Sequence, residues 1–133
     1  MSEFSESYHL WSNSIDEGKS LLNKSGQSGF IFPAVNNWIT LLPEGDIFVP
    51  NKNIIKYNQG ILLHYAYAED HEWSLGIYKQ NTLVSFYHCD WNQYPNIIIN
   101  DDKFDFAIFK EIMSTDAYSY LEKNNKSILY PES

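Results

Sequence analysis

The chain has 133 residues, enough for one domain with its own core. Seventeen acidic residues against nine basic ones give a net charge of −8, which disfavours a phosphate backbone as partner and suits a basic protein. A single cysteine excludes an internal disulfide; with no signal-peptide pattern and no apolar run of transmembrane length, the expectation is a cytoplasmic protein without membrane or nucleic-acid association.

Residues 1–7 are polar and read as a frayed end, as do 131–133. Tyr8-His9-Leu10-Trp11 reads as a short strand. Ser14 and Glu17 have the spacing of a capping box, opening a helix over 15–24 that Lys24 and Gly26 close. Gly29 to Pro33 reads as a strand that ends, or lies on a sheet edge, at the proline. Asn36-Asn37 is a turn, and Trp38 to Leu42 returns as the partner strand. A loop follows, then a brief strand at Ile47-Phe48-Val49. Asn51 caps a short helix over 52–58, stopped by Gly60.

Residues 61–91 form a three-stranded meander with Gln80-Asn81 as its second turn. Counted from that turn, Ile77 pairs Val84, Leu75 pairs Phe86 and Trp73 pairs His88. Trp73 and His88 then share a core face, and Tyr78, Tyr87 and Ser85 share the other. The first turn is open by one residue. If its loop is Asp70-His71, then Tyr65, Tyr67, Tyr78 and Tyr87 form an outer tyrosine ladder. If it is Asp70-His71-Glu72, then Tyr65 and Tyr67 pack beside Trp73 in the core, which buries more apolar area.

Residues 92–100 read as a loop holding Ile97-Ile98-Ile99. Asp101 or Asp102 caps a helix over 103–114 whose apolar stripe carries Phe104, Ala107, Ile108 and Ile112. Thr115 or Asp116 caps a last helix over 117–123, with Tyr118 and Leu121. Residues 128–131 read as a docked tail. The two halves share a helix, a glycine, a strand, a polar turn and a tryptophan opening the return strand, Gly29 to Trp38 and Gly60 to Trp73. A βαββ internal duplication and a coincidence of two hairpins are both compatible with that.

Little in the sequence assembles chemistry. His88 and Cys89 are neighbours on a strand, so they point to opposite faces and cannot form a catalytic pair. The run Glu69 to Glu72 lacks the spacing of a calcium loop, and there is no HExxH or CxxC, so no metal or cofactor is expected. The remaining acids sit at turns and helix starts, where the helix dipole and solvation account for them.

The reading is therefore a single α+β domain over 1–133: an antiparallel sheet of five to seven strands with helices packed mainly on one face. The function expected is non-enzymatic recognition of another protein, in the manner of an inhibitor or immunity protein of a basic partner, or self-association. Its binding residues are Tyr65, Tyr67, Trp73, Tyr78, Tyr87 and His88 on an aromatic sheet face. The alternative is a small-molecule site in a cleft between sheet and helices, lined by Tyr65, Tyr67, Trp73 and His88.

Overall fold

The computed structural model describes residues 4–44, 49–69, 71–93 and 95–129. The elements are β1 (Phe4–Trp11), α1 (Ile15–Ser25), β2 (Gly29–Ile31), β3 (Trp38–Pro43), α2 (Lys52–Tyr57), β4 (Ile61–Ala68), β5 (Glu72–Lys79), β6 (Thr82–Gln93), β7 (Asn96–Asn100), α3 (Ile108–Ile112) and α4 (Thr115–Leu129). The seven strands form one sheet in the order β2-β3-β1-β4-β5-β6-β7, every neighbouring pair antiparallel. The α+β class stands as read from the sequence. Among the described residues no helix is long and apolar enough to cross a membrane.

Local chemistry explains most boundaries. Gly26 closes α1 in the left-handed conformation at φ 68°, its amide reaching the carbonyls of Asn23 and Leu22. Asn36 and Asn37 both take positive φ, 52° and 68°, so the β2–β3 hairpin turns as a type I′ pair would. The Asn51 side chain accepts from the amides of Asn53 and Ile54 and so caps α2. Ser14 departs from expectation: its side chain caps nothing, and the amide of Glu17 bonds its backbone carbonyl instead.

Other boundaries move because tertiary pairing outweighs local signal. β1 begins at Phe4, inside the segment read as frayed, because β4 offers it a ladder from Ala68 to Leu62. Residues 96–100, read as a loop, form edge strand β7 against β6. The helix expected over 103–114 shrinks to α3. Its first residues run beside β6, where Phe86 donates to the Lys103 carbonyl and Ser85 Oγ both donates to the Asp105 carbonyl and accepts its amide. α4 extends to Leu129, well past the expected end. The strand expected at Ile47-Phe48-Val49 falls largely outside the described residues. The duplication gains no support from connectivity. β1 lies beside β3 in the first unit, whereas the matching flank of β5 belongs to β6, a strand that follows its hairpin.

The decisive local event is a bulge. β5 and β6 pair Lys79 with Thr82 and Tyr78 with Leu83, as the Gln80-Asn81 turn dictates. Beyond that, Ile77 pairs Ser85, and Val84 is left over. One extra residue slips the register by one, and each later β6 side chain changes face relative to the straight pairing. Leu75 therefore meets Tyr87, Trp73 meets Cys89 and Ser74 meets His88. In the first hairpin, Ala68 pairs Glu72 and Tyr67 pairs Trp73, so Tyr65 and Tyr67 share a face with Trp73 and Leu75. That is the face assignment of the longer-loop alternative, although β5 starts one residue earlier.

The helices divide between the two faces, where the sequence suggested mainly one. α1 and α2 cover one face through Tyr8, Leu10, Leu21, Leu22, Ile39, Leu41, Ile54, Leu62 and Tyr78. Burying each of the large aliphatic side chains contributes about 1.5–3 kcal/mol, so this layer is a major stabilising core. α3 and α4 cover the other face over β4, β5 and β6, through Ile77, Ile108, Phe109 and Ile112, continued by Tyr87, Cys89 and Leu129. The two helix pairs are offset along the sheet. From β1–β3, the α3/α4 cluster draws in Trp38.

Candidate functional site

That offset leaves the β1 and β2 part of one sheet face outside the α3/α4 cluster, which among the described residues of β1–β3 reaches Trp38 alone. On the α3/α4 side of β1, alternation places Ser5, Ser7, His9 and Trp11. Beside them β3 contributes Thr40 opposite His9 and Trp38 opposite Trp11. β2 contributes Phe30, paired with Leu42. On the other flank, Tyr65 lies opposite Ser7 and Tyr67 opposite Ser5. The serines are small, so they leave a low line along β1 between the tyrosines of β4 and the apolar groups of β2 and β3.

Exposure marks this corner. Phe30 is 71% exposed, Val35 68%, Phe32 47% and Trp11 40%. They make up half of the exposed large apolar side chains among the described residues, gathered on the β2–β3 hairpin and the adjoining end of β1. Isolated exposed apolar groups need no explanation, but a gathered set marks an interaction surface.

A polar network sits at its centre. The Ser7 hydroxyl lies 2.8 Å from His9 Nε2, and Thr40 Oγ1 lies 3.2 Å from His9 Nδ1. Both ring nitrogens are thus engaged by hydroxyls, which serve as donor or acceptor as the tautomer requires. Burial pushes the His9 pKa below its ordinary value, so the ring is neutral at neutral pH. The sequence reading overlooked His9, Ser7, Trp11 and Phe30. The period-2 spacing of Ser7 with His9, and of Phe30 with Phe32, is the signal that placed them on one face.

The six residues expected to bind are split. Tyr65, Tyr67, Trp73 and Tyr87 share the α3/α4 face as a connected aromatic series. Ring centroids are 6.4 Å apart for Tyr65–Trp73, 4.7 Å for Trp73–Tyr87 and 6.5 Å for Tyr67–Trp91. Tyr65 and Tyr67 are half-buried at the margin of that β1 and β2 part, and desolvation raises the Tyr65 pKa. Tyr87 is fully buried beneath α4, its hydroxyl donating to the Leu129 carbonyl. Tyr78 lies on the opposite face, within the α1/α2 core. His88 also faces that side, half-buried, with Nε2 3.3 Å from Glu72 Oε1. The expectation that His88 packs beside Trp73 is thus corrected, and the cause is the bulge at Val84. Cys89 takes that place, buried at 1% exposure, and burial raises its thiol pKa.

Of the lining expected for a small-molecule cleft, Tyr65, Tyr67 and Trp73 share one face of the sheet and His88 lies on the other. Two clefts of about 450 Å³ lie elsewhere. One is bounded by Leu10, Asp16, Ser20, Leu21, Tyr57 and Asn58, and the other by Glu6, Tyr8, Gln27, Glu44, Pro50 and Asn51. No protein-family model, curated protein or solved structure matches this chain.

Proposed function

We infer that this chain is a non-enzymatic recognition protein that binds a basic protein partner through the part of its sheet outside the α3/α4 cluster, in the manner of an inhibitor or immunity protein. The observation that carries the reading is the gathering of exposed Trp11, Phe30, Phe32 and Val35 at the edge of the sheet, beyond the reach of the α3/α4 cluster. Tyr65 and Tyr67 extend the same surface, with Ser7, His9 and Thr40 supplying hydrogen-bonding groups between the aromatic flanks. Aromatic anchors around a small polar centre suit a protein interface, where few residues carry most of the affinity. The net charge of −8 supports a basic partner through steering and complementarity. The free buried thiol of Cys89 is compatible with a reducing cytoplasmic setting.

The experiment is affinity capture with the wild-type chain and with Trp11→Asp and Phe30→Asp, together with sedimentation of the isolated protein. Both positions are exposed, so the variants are expected to fold with stability within about 0.5 kcal/mol of wild type. A basic protein retained by wild type and lost by both variants supports the reading. Retention unaffected by either variant, or no retained partner at all, overturns it.

A further inference from the structure

The geometry points to a divalent transition-metal site formed by Glu72, His88 and Asp90 on the α1/α2 face of β5 and β6. It lies on the opposite side of the sheet from Trp11 and Phe30 and is independent of the protein-binding reading. One ligand atom from each residue lies within 4.8 Å of the other two. The trio arises directly from the register. Glu72 and Asp90 are cross-strand partners, and His88, paired with Ser74, is two residues before Asp90 on the same strand. All three side chains therefore rise from one face at adjacent positions. Had β5 and β6 continued straight from their turn, His88 would have shared a face with Trp73.

The donor chemistry selects the ion. Two carboxylates with one imidazole suit zinc, manganese or iron(II), whereas calcium prefers oxygen ligands throughout. At metal–ligand bonds of about 2.1 Å, neighbouring donor atoms of a tetrahedral ion stand roughly 3.4 Å apart. The 3.3 Å between His88 Nε2 and Glu72 Oε1 already has that length. Asp90 stands within 4.8 Å of both, and binding an ion requires its carboxylate to move inward from there. The Asn92 amide bonds Asp90 Oδ1 at 2.8 Å, which orients the group and leaves its second oxygen for a metal. The side chains of His88 and Glu72 are 28% and 29% exposed, open enough for an ion to enter and desolvated enough to favour holding one. Among the described residues no lysine pairs with Glu72 or Asp90. Three protein ligands leave a position for water.

The test uses the full chain after dialysis against a chelator. Zinc is titrated by calorimetry, and cobalt(II) is added separately to read its visible ligand-field bands. One zinc per chain is expected, with a rise in melting temperature. His88→Ala should weaken zinc binding at least about 100-fold, and Glu72→Gln or Asp90→Asn at least about tenfold each. The cobalt bands should vanish in His88→Ala while its metal-free circular dichroism matches wild type, which separates loss of the site from loss of the fold. Calcium at the same concentration should give no heat. A wild-type chain that takes up no zinc, or variants that bind within about twofold of wild type, overturn the proposal. In that event the trio is an ion-paired surface cluster only.

Discussion

Tyr8 provides a stability test whose size changes with pH. Its side chain is 1% exposed, sits 4.7 Å from the His64 ring by centroid, and accepts a hydrogen bond of 2.8 Å from the amide of Asn51, the residue that caps α2. Tyr8→Phe keeps the ring and removes the acceptor, leaving that amide unpaired. The cost at pH 7 is about 1–2 kcal/mol, the usual penalty for a part-buried donor that loses its partner. Desolvation by burial, opposed by the Asn51 amide, pushes the Tyr8 pKa up to about 12 from 10.0. The folded state thus resists an ionisation that the unfolded chain undergoes freely. Stability from this source is complete below pH 10 and is lost as pH rises towards 12. At about 1.4 kcal/mol per unit, wild type gives up at most roughly 1.4 kcal/mol by pH 11, with solvent screening trimming the figure. Tyr8→Phe loses none of it. Urea unfolding at pH 7 and pH 11 should therefore show the variant less stable at neutral pH and nearly level with wild type at pH 11. A gap of the same size at both pH values would refute the burial argument for Tyr8.

Two glycines make opposite predictions. A Cβ on Gly29 would lie 2.3 Å from the Leu42 carbonyl oxygen and 2.6 Å from Pro43 Cα, both backbone atoms of β3. Gly29→Ala should therefore push β2 off the sheet and cost about 1–3 kcal/mol, read by urea midpoint and by faster amide exchange at Phe32. A Cβ on Gly76 meets nothing closer than 3.5 Å, so Gly76→Ala should be neutral or stabilise by up to about 1 kcal/mol; a loss of that size would contradict the strand packing. His9 bears on acid stability. Its pKa is lowered by burial, so its contribution is present above about 6.5 and is lost as pH falls towards the depressed folded value. His9→Gln should flatten the decline in melting temperature below that pH, and an unchanged slope would argue against a desolvated ring.

Much of the architecture is visible before any coordinates. Turn chemistry alone marks Asn36-Asn37 and Gln80-Asn81, and the caps at Gly26 and Asn51 bound α1 and α2. Alternation of side chains gives the antiparallel hairpins. The single cysteine and the charge of −8 bound the partners worth considering. What the sequence could not supply is the strand-to-strand register. A bulge has no dedicated residue here: Val84 is an ordinary strand former, and only the fit of β6 against β5 leaves it over. Because side chains alternate with a period of two, that one residue transfers Tyr87 and Cys89 to the face beneath α4 and brings His88 beside Glu72. The open part of the sheet depends likewise on how far α3 and α4 reach across it. Those helices are seated by the packing of Phe104, Phe106 and Tyr118 against the cluster that includes Ile77 of β5, a partner distant in sequence.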